Sequence, residues 1–280
     1  MVKTLIKSFL PKLMGLRLMT LYKIKPEKAI RKAFLLFCTP RKGFIKPHQK
    51  DFLKAHQADK IGFKKIKIQT YRWPGQGQKV LLVHGWDSHS FRWKTLINKL
   101  QAKDFDITAF DAPAHGYSEG NILNVPIYHE VLQLMIKEYS PDILIGHSIG
   151  AMTCIYNQYE AQNRAIKKIV LLGSPSEMQR FMSGFQKILG LSHNFMQAIE
   201  NYFENRYNYS FEAFSVAKFA TTINTNSLII HDKFDKIVPY KEAIEINKSL
   251  KNSTLMLTEG AGHSLNNENI NTAILKFILI

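Results

Sequence analysis

Only two cysteines, Cys38 and Cys154, occur in 280 residues, too few for a disulfide-stapled secreted scaffold. Neither sits in a C-x-x-C pair or a metal-ligand spacing, and Cys154 reads as a buried helix thiol. No run of 18 apolar residues is present, so no membrane-spanning helix is expected. The ten histidines contain no H-E-x-x-H or other ligand spacing, and Gly75-Gln76-Gly77 is a turn without the lysine of a phosphate cradle. Neither a metal nor a cofactor is therefore expected. Acidic residues are scarce in one region only. Residues 1–60 hold 15 Lys/Arg against 3 Asp/Glu, whereas residues 61–280 hold 23 against 19. A nucleic-acid enzyme would spread its cations around the cleft, so no nucleic-acid partner is expected.

What is present begins with a basic N-terminal segment, residues 1–60, expected to be mainly helical. Its positive start is that of a signal peptide, but Lys12 and Arg17 interrupt the apolar run and no small-residue cleavage site follows. Leu5, Ile6, Phe9, Leu10, Leu13 and Met14 recur at helical spacing with lysines between them. Such a basic amphipathic helix either lies on an anionic membrane surface or packs on the main domain with its lysines in water. The expectation is a cytoplasmic protein, with residues 1–25 as a candidate peripheral contact at the inner membrane surface.

From residue 61 to 280 strand and helix signals alternate. Phe63 to Trp73 reads as an antiparallel edge strand, and Lys79–Val83 as a strand buried on both faces. Further strands are expected at 105–110, 143–145, 168–172, 227–230 and 254–257. Helices are expected at 91–103, 127–139, from Ile149, at 239–250 and from Asn269. This rhythm predicts an α/β fold, a mostly parallel central sheet with helices on both faces. It fails once, between Pro175 and Asn226, where aromatic residues such as Phe181, Phe185, Phe203 and Phe214 recur without a buried strand. A helical cap inserted at about 176–225, covering the carboxyl edge of the sheet, is the expectation.

Chemistry-bearing residues fall at strand ends, where ligands of such sheets bind. Gly146-His147-Ser148-Ile149-Gly150 follows the apolar run 143–145. This G-x-S-x-G pattern proposes a serine held out on a sharp strand-to-helix turn, although it also fits a glycine-bracketed turn with a bystander serine. A carboxylate follows the strand at 227–230, and His263 follows the strand at 254–257. Histidine can take the serine proton and return it to a leaving group, while a carboxylate fixes the imidazole tautomer. Asp232 and Asp235 both stand at the first of these ends.

Four ordered segments carry a resemblance: His84-Gly85-Trp86, Asp111-Ala112-Pro113-Ala114-His115-Gly116-Tyr117-Ser118, the 146–150 pentapeptide, and Asp235-x-x-Val238-Pro239 followed by Gly262-His263. From about residue 61 onward the chain resembles the α/β-hydrolase-fold superfamily, its serine hydrolases and esterases. The resemblance implies Ser148 as nucleophile, Asp235 as acid and His263 as base, with the main-chain N–H groups of Trp86 and Ile149 as oxyanion hole. Asp235 is preferred over Asp232 because it aligns with the following Val-Pro. Ala114 departs from the pattern, which commonly has glycine there. The implied activity is hydrolysis of a small-molecule carboxylic ester or thioester through an acyl-enzyme intermediate. A non-catalytic scaffold of the same fold, or a lipid-ester hydrolase working at a membrane surface, are the alternatives.

Overall fold

Short runs of residues, mostly apolar in the central strands, build an eight-stranded sheet: β1 (Gln57–Phe63), β2 (Ile66–Trp73), β3 (Lys79–Val83), β4 (Asp106–Phe110), β5 (Ile143–His147), β6 (Lys168–Leu172), β7 (Asn226–Asp232) and β8 (Ser253–Thr258). The computed structural model describes residues 2–41, 43–54 and 57–280, and side chains from residue 10 onward. Leu5, Ile6 and Phe9 of the expected amphipathic face thus lie outside the described side chains. The strand order is β1-β2-β4-β3-β5-β6-β7-β8. The pairs β1–β2 and β2–β4 are antiparallel, and every other pair is parallel.

The helices are α1 (Val2–Ile24), α2 (Pro26–Cys38), α3 (Pro47–Lys54), α4 (Lys94–Gln101), α5 (Val125–Tyr139), α6 (Ile149–Ala161), α7 (Met178–Leu189), α8 (His193–Tyr207), α9 (Val216–Ala220), α10 (Lys241–Ser249) and α11 (Glu268–Leu279). Their starts follow local chemistry. Asn124 accepts the Ile127 N–H at 3.0 Å and Asn267 the Ile270 N–H at 3.0 Å, so α5 and α11 each begin at a side-chain cap. Such a cap contributes about 1 kcal/mol.

On one face of the sheet Val80, Leu82, Ile143, Ile145, Val170 and Ile230 pack with Leu96 and Ile97 of α4 and Ile270 and Ile274 of α11. The alternate residues Leu81, Leu144, Ile169 and Leu171, also fully buried, belong to the other face, which α5 and α6 cover. Burial on both faces is why these strands read as continuous apolar runs. Truncating one such side chain, Ile145→Ala for example, would cost about 2–5 kcal/mol.

One expectation is corrected. The segment 63–73 is not an edge strand: it spans a hairpin whose turn is Lys64-Lys65, with Phe63 paired to Ile66 and Lys64 at φ 52°. The edge is β1, Gln-Ala-Asp-Lys-Ile-Gly-Phe, whose first four residues are exposed. A solvated edge strand needs no apolar alternation, so it left no signal to read.

The chain divides into two units. Residues 40–176 and 216–280 form the sheet unit; residues 1–39 and 177–215 form a helical unit of α1, α2, α7 and α8. Within the helical unit a Cβ at Gly15 would lie 1.7 Å from the Leu189 carbonyl oxygen, so α1 and α7 meet backbone to backbone there. Tyr22 stacks on Phe195 with centroids 4.5 Å apart, Phe34 meets Tyr202 edge-on, and Phe37 meets Phe185 edge-on. The aromatics of 177–215 thus make a core together with the N-terminal helices.

Candidate active site

Ser148 stands between β5 and α6 at φ 53°, ψ −124°, a conformation rare for a residue with a side chain. The neighbouring glycines are what make this turn possible. A Cβ at Gly146 would sit 2.6 Å from the Ala151 Cα, and one at Gly150 would sit 2.3 Å from the Val83 carbonyl oxygen. The Ser148 N–H donates to the Leu172 carbonyl at 2.8 Å, which ties the turn to the end of β6. Strain of this kind costs about 1–3 kcal/mol and persists only where surrounding contacts over-determine it.

Asp235 lies in the turn after β7, and His263 in a single 3₁₀ turn after β8. The structure brings both to Ser148. His263 Nε2 is 3.0 Å from Ser148 Oγ, and His263 Nδ1 is 2.7 Å from Asp235 Oδ2. With Nδ1–H donating to the carboxylate, Nε2 is left as the acceptor for the serine proton. The Asp235 side chain is fully buried. Burial alone would push its pKa up, but hydrogen bonds from His231, from His263 and from the Val238 and Ile237 N–H groups hold it far below the usual carboxylate range. It therefore stays charged wherever the protein is folded and the histidine can work.

Asp232, the rival acid, does something else. Its Oδ1 accepts the Phe234 N–H at 2.9 Å; its Oδ2 accepts the Ala261 N–H at 2.8 Å and the Thr258 hydroxyl at 2.9 Å. Burial pushes its pKa up, and the donors at Ala261, Phe234, Thr258 and Gly262 outweigh it to leave the pKa lowered. This carboxylate joins the turn bearing Asp235 to the loop bearing His263.

Trp86 and Ile149 flank the serine from two directions. Ile149 is the first residue of α6, whose opening N–H groups have no acceptor within the helix. A Cβ at Gly85 would lie 3.0 Å from Ser148 Cβ, so the main chain leading into Trp86 passes directly beside the serine. Two neutral histidines support that loop. His84 Nδ1–H donates to the Gly85 carbonyl at 2.7 Å while its Nε2 accepts the Ala112 N–H at 2.8 Å. His115 Nε2 accepts the Asp87 N–H at 3.1 Å. Burial lowers the pKa of both, that of His84 strongly.

Three residues that sequence reasoning did not assign complete the scaffold. His231 is fully buried and its Nε2 lies 2.9 Å from the Val238 carbonyl and 3.3 Å from Asp235 Oδ2, so one N–H is shared between them. His147, next to the serine in the chain, donates Nε2–H to the His263 carbonyl at 2.8 Å; burial holds its pKa well below the usual value. Arg92 Nη2 donates to the Ser264 carbonyl at 2.8 Å, and the Arg92 carbonyl accepts from Asn266 Nδ2 at 3.3 Å. Burial brings the Arg92 pKa down to about 9, so it remains a cation at pH 7. Position in the chain was the visible cue: His147 adjoins Ser148, His231 stands four residues before Asp235, and Arg92 six residues after Trp86. Among the described residues no cluster of His, Cys, Asp and Glu could hold a metal ion.

Comparison with known proteins agrees with this architecture. Residues 76–212 match a family model described as serine aminopeptidase, S33. That segment contains Trp86 and Ser148 but stops short of Asp235 and His263, whose pairing rests on geometry. An esterase of Mycobacterium tuberculosis is 28% identical over 119 residues, 40% of this chain and 39% of that protein. Human monoglyceride lipase is 30% identical over 125 residues, 40% of this chain and 41% of that protein. The chain thus matches about two fifths of the length of these curated relatives. Among solved structures, the esterase EaEST from Exiguobacterium antarcticum has a TM-score of 0.64 at 17% identity, covering 80% of this chain and 100% of that one. The fold is that of the α/β-hydrolases.

Proposed function

We propose that the protein is a serine hydrolase that cleaves a carboxylic ester or thioester in two steps. The observation that carries the reading is the continuous run from Ser148 Oγ through the His263 ring to Asp235 Oδ2, with spacings of 3.0 and 2.7 Å. In the first step Ser148 Oγ attacks the carbonyl carbon as His263 Nε2 takes its proton. The negative oxygen that forms is met by the N–H groups of Trp86 and Ile149; one such donor is typically worth about 3 kcal/mol. His263 returns the proton to the departing alcohol or thiol, leaving an acyl group on Ser148. Water, deprotonated by His263, then attacks that acyl carbon, and as the acid departs His263 passes the proton to Ser148 Oγ, which restores both residues. Asp235 holds the imidazole in the required tautomer and stabilises its cationic form.

The names of the relatives, an esterase and a monoglyceride lipase, support an ester as substrate. A panel of p-nitrophenyl esters and acyl thioesters of graded chain length, with an aminoacyl anilide beside them, tests the class. Turnover of esters or thioesters that Ser148→Ala abolishes supports the reading. Turnover confined to the anilide would make it a peptidase instead.

A second reading, hydrolysis of a lipid ester at a membrane surface, is favoured by the exposed aliphatic side chains Leu10, Leu16 and Ile24 on the basic helix α1. Ester turnover that rises sharply above the aggregation point of a long-chain substrate would support it. Turnover that follows monomer concentration alone would not.

A further inference from the structure

The two sides of α1 differ in a way that packing does not explain. Gly15, Leu18, Met19 and Tyr22 recur at helical spacing and form its inner side. Gly15 meets Leu189, the Ser192 N–H reaches Met19 Sδ at 3.5 Å, and Tyr22 stacks on Phe195. Leu10, Met14, Arg17, Leu21 and Ile24 follow one another at intervals of four and three residues, which sets them in a stripe on the opposite side. Leu10 is 60% and Ile24 69% exposed, and Leu16 on the flank is 63% exposed. A helix whose one side is satisfied within its own unit gains nothing in water from aliphatic residues on the other.

The charge around the stripe is of one sign. Lys12, Arg17 and Lys23 on α1, and Lys25, Lys28, Arg31 and Lys32 at the start of α2, are all exposed. Glu27 is the single acid among residues 1–39, and none of these seven cations has an ion-pair partner among the described residues. The helix is not long and apolar enough to cross a bilayer. Exposed aliphatic residues, interrupted by Arg17, on a segment whose charged residues are almost all unpaired cations are what an interfacial helix presents to anionic headgroups. A second copy of the chain is a poor occupant, because it would set the same cations against each other.

We infer that this face of α1, with the first turns of α2, docks the protein on an anionic lipid surface. Leu10, Leu16 and Ile24 enter the headgroup boundary while the lysines and arginines meet lipid phosphates. The inference is independent of the serine chemistry, and its test reads binding rather than turnover.

The full chain is sedimented with phosphatidylcholine vesicles, with and without phosphatidylglycerol, at low and high salt. Binding is expected only with phosphatidylglycerol, falling at least about tenfold at high salt as screening shortens the reach of the cations. The double variant Leu10→Glu/Ile24→Glu is expected to lose at least about tenfold in binding at low salt, with an unchanged thermal melt as proof of folding. The charge variant Lys25→Gln/Lys28→Gln/Lys32→Gln is expected to lose binding in the same way. Equal binding to neutral vesicles would overturn the inference, as would undiminished binding of both folded variants. A concentration-dependent dimer that the double variant abolishes, without any vesicle binding, would assign the face to a second copy instead. If wild type turned over no ester at all, the hydrolase reading would fall and the vesicle result would still stand.

Discussion

Asp232 ends β7 and Asp235 stands three residues further on, in the turn that follows, yet their carboxylates serve different partners. Asp235 Oδ2 meets His263 Nδ1 at 2.7 Å, whereas Asp232 Oδ2 takes the Ala261 N–H at 2.8 Å. One orients the imidazole through its ring; the other holds the loop on which that ring is carried. The two asparagine variants should therefore fail differently. Asp235→Asn keeps the shape but loses the charge and the acceptor geometry at Nδ1, so kcat should fall on the order of 10³–10⁴-fold with little change in KM. Asp232→Asn should keep kcat within about tenfold and lose about 1–3 kcal/mol of stability, because the half-buried donors at Ala261 and Thr258 lose a charged acceptor. Ester kinetics and denaturant melts on both proteins check this. A catalytic collapse confined to Asp232→Asn would exchange the two assignments.

His231 should behave as a positioning residue. Its Nε2–H draws electron density from Asp235 Oδ2 in competition with His263. Removing that donor, as in His231→Leu, leaves Asp235 a stronger acceptor for His263 alone and so favours the imidazolium. The acid limb of the kcat/KM profile should move to higher pH, with KM nearly unchanged. A purely structural role would lower the amount of folded enzyme and leave the limb where it was.

Ala114 occupies the left-handed region at φ 63°, in a turn where the superfamily pattern has glycine. An alanine there carries a steric cost that glycine does not. Ala114→Gly should raise unfolding stability by about 1 kcal/mol, net of the extra freedom glycine has in the unfolded chain. Chemical denaturation of the single variant measures it. A loss of stability would mean that the alanine methyl makes packing contacts worth more than the strain.

Acid should destabilise the fold before its carboxylates titrate. His84 and His147 are buried and neutral, with folded pKa values pushed well below 6.5 by burial. The unfolded chain binds protons at both near its ordinary value while the folded chain does not. Their contribution is therefore intact above about pH 6.5 and is lost as pH falls below it, at about 1.4 kcal/mol per pH unit for each histidine. Denaturant melts at pH 7, 6 and 5 should show that loss, and its slope should shrink by about 1.4 kcal/mol per pH unit in a folded His147→Asn variant. A flat profile across this range would contradict the neutral assignment.

Much of this architecture is legible in the amino-acid order, and the reasons are physical. Strands β3, β5, β6 and β7 are buried on both faces, so each appears as an apolar run. The serine turn needs Gly146 and Gly150 because backbone atoms lie where their Cβ atoms would be. Ser148, Asp235 and His263 could be picked out because each follows a readable strand. What could not be read lacks a local imprint. Strand β1 is solvated and polar. The roles of His231, His147 and Arg92 depend on contacts with carbonyls or carboxylates that their own neighbourhoods do not reveal. The association of α1 and α2 with α7 and α8 joins segments more than a hundred residues apart, through one close glycine and a few aromatic contacts, one stacked and others edge-on. Periodicity indicated that α1 has an apolar side without indicating that only part of it is covered.

The most direct test of the account is the covalent reaction of Ser148. Folded wild type treated with a fluorophosphonate and measured by intact mass should gain one adduct, mapped to Ser148 by peptide analysis. Ser148→Ala should gain none, and His263→Ala should react at least about a hundredfold more slowly, since the base that activates the hydroxyl is gone. A folded wild type that takes up no probe, or an adduct that persists undiminished in Ser148→Ala, would contradict the assignment of this serine as a nucleophile.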